Sequence, residues 1–266
     1  MFRWTALSCI LGGLLTLGGC AFNQQTPAAD SSVNINVLSY NIHIAIGMDG
    51  QRDLDRIARI ITESQADLVA LQEVDRGTQR SIGQDQAQEL AQRTGMHVVF
   101  GKTINLQGGE YGIAVLSRHP ILESKTYLLP SQGTEQRVAL ETRIRLEPSG
   151  REVTFICTHL DHTGKTRPQQ AEEINRLFLE REGTPIILAG DFNARPNEET
   201  IAILSPHWHN TNDGQELYTF QADQPDRQID YIFIRPADRF EVQWVRVLDE
   251  AVASDHRPIQ ALLKLR

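Results

Sequence analysis

Residues 185–194 read PIILAGDFNA and pass from an apolar run directly into a polar turn. The continuous apolar run at 186–189 is typical of a strand that is buried on both faces of its sheet. Asp191 and Asn193 then follow the predicted strand. Because open α/β sheets carry their sites at strand ends, the stretch predicts a sheet with a site at its edge. The simpler interpretation is an Asp/Asn turn that closes the strand.

The rest of the chain extends this pattern, because strand-like and helix-like runs alternate from Val33 to the C-terminus. Such alternation predicts an α/β fold. Strands are predicted at 33–38, 67–71, 98–100, several places between 112 and 157, 185–189, 229–234, 242–247 and 259–265. Helices are predicted at 53–64, at 85–93 with Gly95 as the stop, and from a Thr166 cap to Gly183.

Length and composition indicate one globular domain. The chain has 266 residues, of which 40% are hydrophobic and 23% charged, and we expect a single domain over residues 33–266. Its formal charge of −8 argues against a protein that mainly clamps duplex DNA, because such binding depends on lysine and arginine neutralising phosphates. We expect a monomer.

The first twenty residues, MFRWTALSCILGGLLTLGGC, have the layout of a secretory signal. The apolar run has about 15 residues, short of the roughly 20 that a membrane-spanning helix needs. Its end at residues 17–20 resembles a bacterial lipoprotein processing box, which predicts a signal peptide at 1–19, a lipidated Cys20 and a flexible tether at 20–32. Alternatives are a plain signal peptide or an uncleaved anchor.

The predicted lipid would hold an exported protein at the bacterial cell envelope. Ala21 follows the cysteine, and this residue does not resemble the aspartate of an inner-membrane retention signal. We therefore prefer the outer membrane. Cys157 is left alone in the mature chain, so no disulfide is expected, and its apolar surroundings predict a buried thiol without a catalytic role.

Six short polar motifs are expected directly after predicted strands, at the strand ends. They are SYNIH (39–43), LQEV (71–74), THL (158–160), GDFNA (190–194), IDY (229–231) and SDHRP (254–258). In this order they resemble the endonuclease/exonuclease/phosphatase superfamily, which includes deoxyribonuclease I-like nucleases, sphingomyelinases and inositol polyphosphate 5-phosphatases. Each motif alone is weak evidence, and the six together are strong evidence.

The resemblance implies a four-layer α/β/β/α sandwich of two mixed sheets flanked by helices, with Mg²⁺ or Mn²⁺ held at one edge. Glu73 is the first-choice metal ligand, with Asn41 and Asp255 in support. A lone glutamate after a strand is more simply an exposed charge. Three oxygen-bearing side chains together are the kind of set that a hard cation prefers.

The resemblance also implies catalytic roles. His256 would take part in proton transfer, and Asp230 would accept its ring N–H and set its tautomer. Asp191 would orient or deprotonate the attacking water, Asn193 would steady a phosphate oxygen or that carboxylate, and His159 would donate to the phosphate. A lone histidine is more often structural, so these roles depend on the joint pattern.

Three functions are open at this stage. The leading prediction is a metal-dependent phosphodiesterase or phosphatase that acts on a small or lipid-linked phosphoester. An exported nuclease of the deoxyribonuclease I type is the alternative, and a lipid-anchored binding module that lost the chemistry is a third. Arg137 could contact phosphate or be a surface residue, and His162, Lys165 and Arg167 could line the substrate rim.

Overall fold

Twelve strands and four α-helices form the part of the chain that this computed structural model describes, which comprises residues 1–4, 32–181 and 183–266. The strands are β1 (Val33–Asn41), β2 (Leu68–Arg76), β3 (His97–Leu106), β4 (Gly109–Ser117), β5 (Ile121–Leu128), β6 (Val138–Leu146), β7 (Arg151–His159), β8 (Ile186–Asp191), β9 (His209–Asn210), β10 (Asp230–Arg235), β11 (Phe240–Val247) and β12 (Ile259–Leu265). The helices are α1 (Leu54–Ser64), α2 (Gln86–Thr94), α3 (Arg167–Phe178) and α4 (Glu199–Leu204). Residues 31–266 form one compact unit.

The predicted export segment is largely outside this description. Of the signal peptide at 1–19, the lipidated Cys20 and the tether at 20–32, only residues 1–4 and residue 32 are described. Among the helices of the described ranges, none is both long and apolar enough to cross a membrane.

The strands form two six-stranded sheets. One has the order β11-β12-β1-β2-β4-β3 and the other β5-β6-β7-β8-β10-β9. Each sheet contains one parallel pair, β1 with β2 and β7 with β8, and its other neighbours are antiparallel. Both sheets are therefore mixed, as the resemblance implied.

Alternation along the strands builds four layers. In β8, Ile187 and Ala189 belong to the core between the two sheets, whereas Ile186 and Leu188 pack with α3 and α4 on the outer face. The other sheet packs its outer face against α1 and α2 in the same way. A strand that is apolar on both faces reads as a continuous apolar run, which explains the sequence at 186–189. The four-layer sandwich is confirmed.

The helix starts follow from side-chain capping. Asp53 accepts the backbone N–H of Arg56, and Asp85 accepts that of Gln88 at the start of α2, which satisfies donors that the first turn leaves unpaired. Thr166 does precede α3, but its hydroxyl caps no backbone N–H and instead accepts from Nε2 of Gln170 at 3.3 Å.

The predicted end of the third helix is wrong. The helix ends at Phe178, and the N–H of Leu179 closes it on the carbonyl of Asn175. Gly183 lies in the turn that follows, with φ of 72°. Phe178 is the last residue of α3 in the outer core, so the apolar contact with the sheet ends there.

Two motifs come before their strands. Asp230 begins β10, and Asp255 and His256 precede β12, whereas the sequence placed all six motifs after strands. The reason is direction: β10 runs antiparallel to β8, and β12 antiparallel to β1. The amino ends of β10 and β12 therefore lie at the same edge as the carboxyl ends of their neighbours.

Candidate active site

The predicted residues are carried by six chain segments at one edge of the two sheets. Asn41 ends β1, His159 ends β7 and Asp191 ends β8. In the register of the second sheet, Asp191 is paired with His159 on one side and with Asp230 on the other. A central strand thus holds the aspartate between a histidine and a second carboxylate.

A bulge aims Glu73 toward this edge. The pairing of β2 with β4 shifts register between Leu71 and Val74, and Glu73 has a left-handed φ of 58°. A bulge locally redirects a strand, and such features are common next to active sites. The Glu73 side chain, half-buried, accepts a hydrogen bond from Nδ2 of Asn41 at 3.2 Å.

Asn41 links the two sheets. Its Nδ2 donates to Oδ2 of Asp191 at 3.1 Å as well as to Glu73, and its Oδ1 accepts the backbone N–H of His43 at 3.1 Å. The amide nitrogen therefore faces both carboxylates. In this orientation Asn41 positions the two acids through hydrogen bonds, and its amide oxygen faces the backbone N–H of His43.

The turn after β8 satisfies both interpretations of its sequence. Oδ1 of Asp191 accepts the backbone N–H of Asn193 at 2.8 Å, which is an Asx turn that closes a strand. Asn193 has φ of 50°, and its Nδ2 donates to the carbonyl of Leu160 at 3.1 Å. The same turn leaves Oδ2 of Asp191 directed at Asn41 and the two histidines.

His256 is bonded to Asp230. Nδ1 of His256 donates to Oδ2 of Asp230 at 2.9 Å, and its Nε2 lies 3.7 Å from Oδ2 of Asp191. All three side chains are buried. Burial alone would lower the pKa of His256, but the carboxylates of Asp230 and Asp191 outweigh it and raise that pKa. The two acids beside His256 therefore favour its imidazolium form.

His159 has the opposite environment. Nη1 of the buried Arg137 lies 2.9 Å from Nδ1 of His159. Since arginine only donates, Nδ1 must accept and the ring proton sits on Nε2, which therefore accepts no hydrogen bond from Nδ2 of Asn193, 3.1 Å away. Burial first, and then the charge of Arg137, lower the pKa of His159 well below its usual value. His159 is a neutral ring whose Nε2–H lies 3.4 Å from Oδ2 of Asp191.

The surroundings of Asp191 shift the pKa of its carboxyl group. Its burial, and next the nearby Asp230, raise its pKa, while His256, the N–H of Asn193 and the amide of Asn41 act in the opposite direction. A carboxyl whose pKa moves toward neutrality is suited to accept a proton at neutral pH.

Three of these side chains have the spacing of a metal site, in which His256 could take part only as a neutral ring, because an imidazolium has no free lone pair. One ligand atom each of Asp191, Asp230 and His256 lies within 4.8 Å of the others. Oδ1 of Asp230 is buried and has no hydrogen-bond partner in the described ranges, which is the state of an oxygen that a cation would satisfy. Together with Glu73, the edge offers the carboxylate oxygens that Mg²⁺ and Mn²⁺ prefer.

This set differs from the ligands predicted from sequence. Asn41 and Glu73 are in contact, but Asn41 presents nitrogen to the acids. The Asp255 carboxylate, half-buried, lies 3.9 Å from Nδ1 of His43 and 3.3 Å from the hydroxyl of Ser254. Asp255 adds negative potential to the site, since its charge contributes to the raised pKa of His256.

Arg137 is the functional residue whose role the sequence did not predict. It is buried rather than exposed, and its contacts are His159 and Glu135. The motif EQR (135–137) carries no signal for a partner 22 residues away. By contrast, the prediction for Cys157 agrees with its environment: the thiol is buried, and burial raises its pKa to about 12.

Comparisons with known proteins agree with this geometry. Residues 32–256 match the family described as endonuclease/exonuclease/phosphatase. The uncharacterized protein YbhP of Escherichia coli strain K12 is 26% identical over 256 residues, covering 90% of this chain and 100% of that protein.

Two solved structures share the fold. An endonuclease/exonuclease/phosphatase from Beutenbergia cavernae superimposes with a TM-score of 0.73 at 26% identity, covering 87% of this chain and 72% of that one. The mannosyl-6-phosphatase Bt3783 of Bacteroides thetaiotaomicron gives a TM-score of 0.70 at 22% identity, covering 86% of this chain and 99% of that one.

Proposed function

Since this chain belongs to the endonuclease/exonuclease/phosphatase family of phosphoester hydrolases, we propose that it hydrolyses a small or lipid-linked phosphoester with the help of Mg²⁺ or Mn²⁺. The observation that carries the proposal is the position of Asp191. This buried carboxylate is bonded to Asn41 and lies within 4 Å of both ring nitrogens that face the site, those of His159 and His256.

In this proposal Asp191, His159 and His256 differ in charge, and each therefore has a different task in the reaction. Asp191, with its raised pKa, accepts the proton of the attacking water. His159 donates a hydrogen bond from Nε2 to a phosphate oxygen and stays neutral. His256 remains protonated against Asp230 and offers positive charge, or a proton, where negative charge develops. The opposite protonation of the two histidines follows from their partners, Arg137 and Asp230.

Glu73, Asp191 and Asp230 are the side chains that would hold the cation. A divalent ion supplies Lewis-acid stabilisation of phosphoryl oxygens and favours the ionised form of nearby carboxyls. Asn41 holds two of these acids in place through its amide nitrogen. The unsatisfied Oδ1 of Asp230 supports a cation at this edge.

A small or lipid-linked substrate is favoured by charge. A chain of net charge −8 has little long-range attraction for polyanionic DNA. The fold itself serves a sugar phosphatase in Bt3783, which supports a monoesterase or diesterase as readily as a nuclease. The intact hydrogen-bonded acids and histidines argue against a binding module without catalysis.

The test is hydrolysis of bis(p-nitrophenyl) phosphate and p-nitrophenyl phosphate with Mg²⁺ or Mn²⁺ and with EDTA. We expect turnover only with metal, and losses of at least about 100-fold in Glu73→Gln and His256→Gln. Glu63→Gln and His97→Gln, at exposed positions, are the controls. Metal-independent turnover, or turnover that survives both site variants, refutes the proposal. Nicking of supercoiled plasmid, measured in parallel, would favour the nuclease.

We also propose export and lipidation at Cys20. The processing box at 17–20 and the polar stretch that follows it support this location. Cys20→Ser should abolish incorporation of labelled palmitate and move the protein out of the membrane fraction of its host. Cys9→Ser, within the signal peptide, is the control. If the Cys20→Ser protein still incorporates labelled palmitate and stays in the membrane fraction, lipidation at Cys20 is ruled out.

A further inference from the structure

A cavity of about 260 Å³ opens directly from the catalytic cluster. Its lining includes Asn193 and His256, which belong to that cluster. Three arginines also line it, Arg167, Arg195 and Arg227. We call this cavity, defined by these five residues, the arginine pocket.

The arginine pocket has the opposite charge to the protein as a whole. Of its three guanidinium groups, that of Arg167 is paired with Glu198 and that of Arg227 with Asp226, whereas that of Arg195 has no ion pair among the described residues. The pocket therefore keeps one unpaired positive charge on a chain whose formal charge is −8. A local excess of positive charge on an acidic protein has no role in holding a divalent cation. It suits an anion, because guanidinium groups match carboxylate and phosphate oxygens in pairs.

The aromatic ring of Phe220 contacts both Arg227 of the pocket and His256 of the reaction centre. The ring of Phe220 lies 4.8 Å from that of His256, and the guanidinium of Arg227 lies 5.1 Å from the Phe220 ring centroid on a cation–π contact. Nε of Arg227 donates to Asp226 at 2.7 Å. These contacts hold Arg227 at a fixed place beside the catalytic histidine.

Arg167 has an unused donor. Its side chain is 13% exposed and its Nη2 bonds to Glu198, but its Nε is buried and finds no acceptor in the part of the chain that the structure describes. A buried guanidinium donor without an acceptor is costly. A bound anion would relieve that cost.

The space continues past the pocket. A second cavity of about 200 Å³ shares Arg195 and Arg227, and its lining also includes the acids Glu216 and Asp226. Each cavity is smaller than the roughly 300–1,000 Å³ of a pocket for a drug-sized ligand. The volumes suit a single charged group on a short organic linker.

We infer that the arginine pocket binds a second anionic group, a phosphate or a carboxylate, on the organic part of the same molecule whose phosphoester is hydrolysed. The inference rests on the proposed function and names a class of substrate for it. Because Asn193 and His256 line both the pocket and the reaction centre, one small molecule can reach both.

The test uses three sugars that differ only at carbon 6: glucose 1-phosphate, glucuronic acid 1-phosphate and glucose 1,6-bisphosphate. Each competes against hydrolysis of bis(p-nitrophenyl) phosphate in excess Mg²⁺, which yields an inhibition constant whether or not the sugar is cleaved. We expect the bisphosphate to bind at least about tenfold tighter than glucose 1-phosphate, as one added charge-assisted contact predicts. The glucuronic acid arm shows whether a carboxylate suffices.

The same ratio is measured in Arg195→Gln and Arg227→Gln, with Arg59→Gln as the control. Arg59 is exposed on α1 against the other sheet. We expect the ratio to fall toward one in the two pocket variants and to be kept in the control. Equal inhibition constants for the three sugars in the unmodified protein overturn the inference, and so does a preference that both pocket variants retain.

A failure of the proposed function is distinguishable from a failure of this inference. If the unmodified protein hydrolyses no phosphoester, the proposed function fails. Calorimetric titration of the metal-stripped protein with the same sugars then decides the inference by itself. Preferential binding of the bisphosphate that depends on Arg195 and Arg227 supports the pocket, and indifference to the second anion refutes it.

Discussion

His159 and His256 lie beside the same carboxylate and differ in the partner on the far side of the ring. Arg137 donates to His159, and Asp230 accepts from His256. A neighbouring cation disfavours the imidazolium and a neighbouring anion favours it. The two surroundings therefore favour different protonation states of the rings, so that one ring can donate a hydrogen bond while the other supplies charge.

Replacement of Arg137 tests this division. Arg137→Met should lower kcat by about 10- to 100-fold, the usual cost of losing an outer partner of a catalytic group, because the His159 proton is no longer confined to Nε2. Arg137→Lys keeps a donor and should recover part of the loss. Long-range ¹H–¹⁵N spectra should show the His159 tautomer change in Arg137→Met. An unchanged tautomer together with unchanged kcat would contradict the role.

The raised pKa of Asp191 predicts the pH dependence. A base acts in its ionised form, so kcat should fall as the pH drops through the raised pKa of Asp191. A bound cation favours the carboxylate, so more Mg²⁺ should move this acidic limb to lower pH. Asp191→Asn should lose about 10²- to 10⁴-fold in kcat. A limb that does not respond to Mg²⁺ would assign it to another group.

At this scale the sequence predicted which residues meet but not their charges. Asn41, Glu73, His159 and Asp191 were recognisable from their motifs, and the structure brings them together. The protonation of His159 depends on its burial and on Arg137, which lies just before β6, the strand next to β7. The sequence pattern alone indicates neither the contact with Arg137 nor the burial of His159.

Strand β8 places Asp191, and its close packing depends on Gly190. A Cβ at Gly190 would overlap the carbonyl oxygen of Thr158 on the paired strand β7. Gly190→Ala should therefore destabilise the protein by about 3 kcal/mol, at the upper end of the overpacking range. Urea unfolding measures the change.

Gly101→Ala on β3 is the matched control. Its Cβ would meet Cβ of Leu140 at 3.2 Å and Cδ2 of the same side chain at 3.3 Å, a much milder approach than that to the carbonyl oxygen at Gly190. We expect a loss of about 1 kcal/mol or less. Equal losses in the two variants would show that the approach of β7 and β8 is not what demands glycine at position 190.

The elements were predictable where burial leaves a pattern. The starts of α1 and α2, next to Asp53 and Asp85, and the central strands followed from sequence. The short helix α4 and the two-residue strand β9 were not anticipated, because they are too short to show a period. The direction of β10 and β12, which reverses their motifs relative to the strands, depends on pairing between distant segments.

For the whole molecule, composition and alternation predicted an α/β domain, while the two-sheet arrangement came only from the resemblance. The structure explains why six separated motifs form one site. Two parallel pairs, each flanked by antiparallel strands, direct four carboxyl ends and two amino ends to one edge.

The central claim is that this edge binds a divalent cation among Glu73, Asp191 and Asp230. Anomalous diffraction from crystals grown with Mn²⁺ tests it most directly. We predict a single site or a pair of sites in contact with these carboxylates, absent from crystals of Glu73→Gln grown in the same way. Manganese bound elsewhere on the protein, with none at these three acids, would contradict the account.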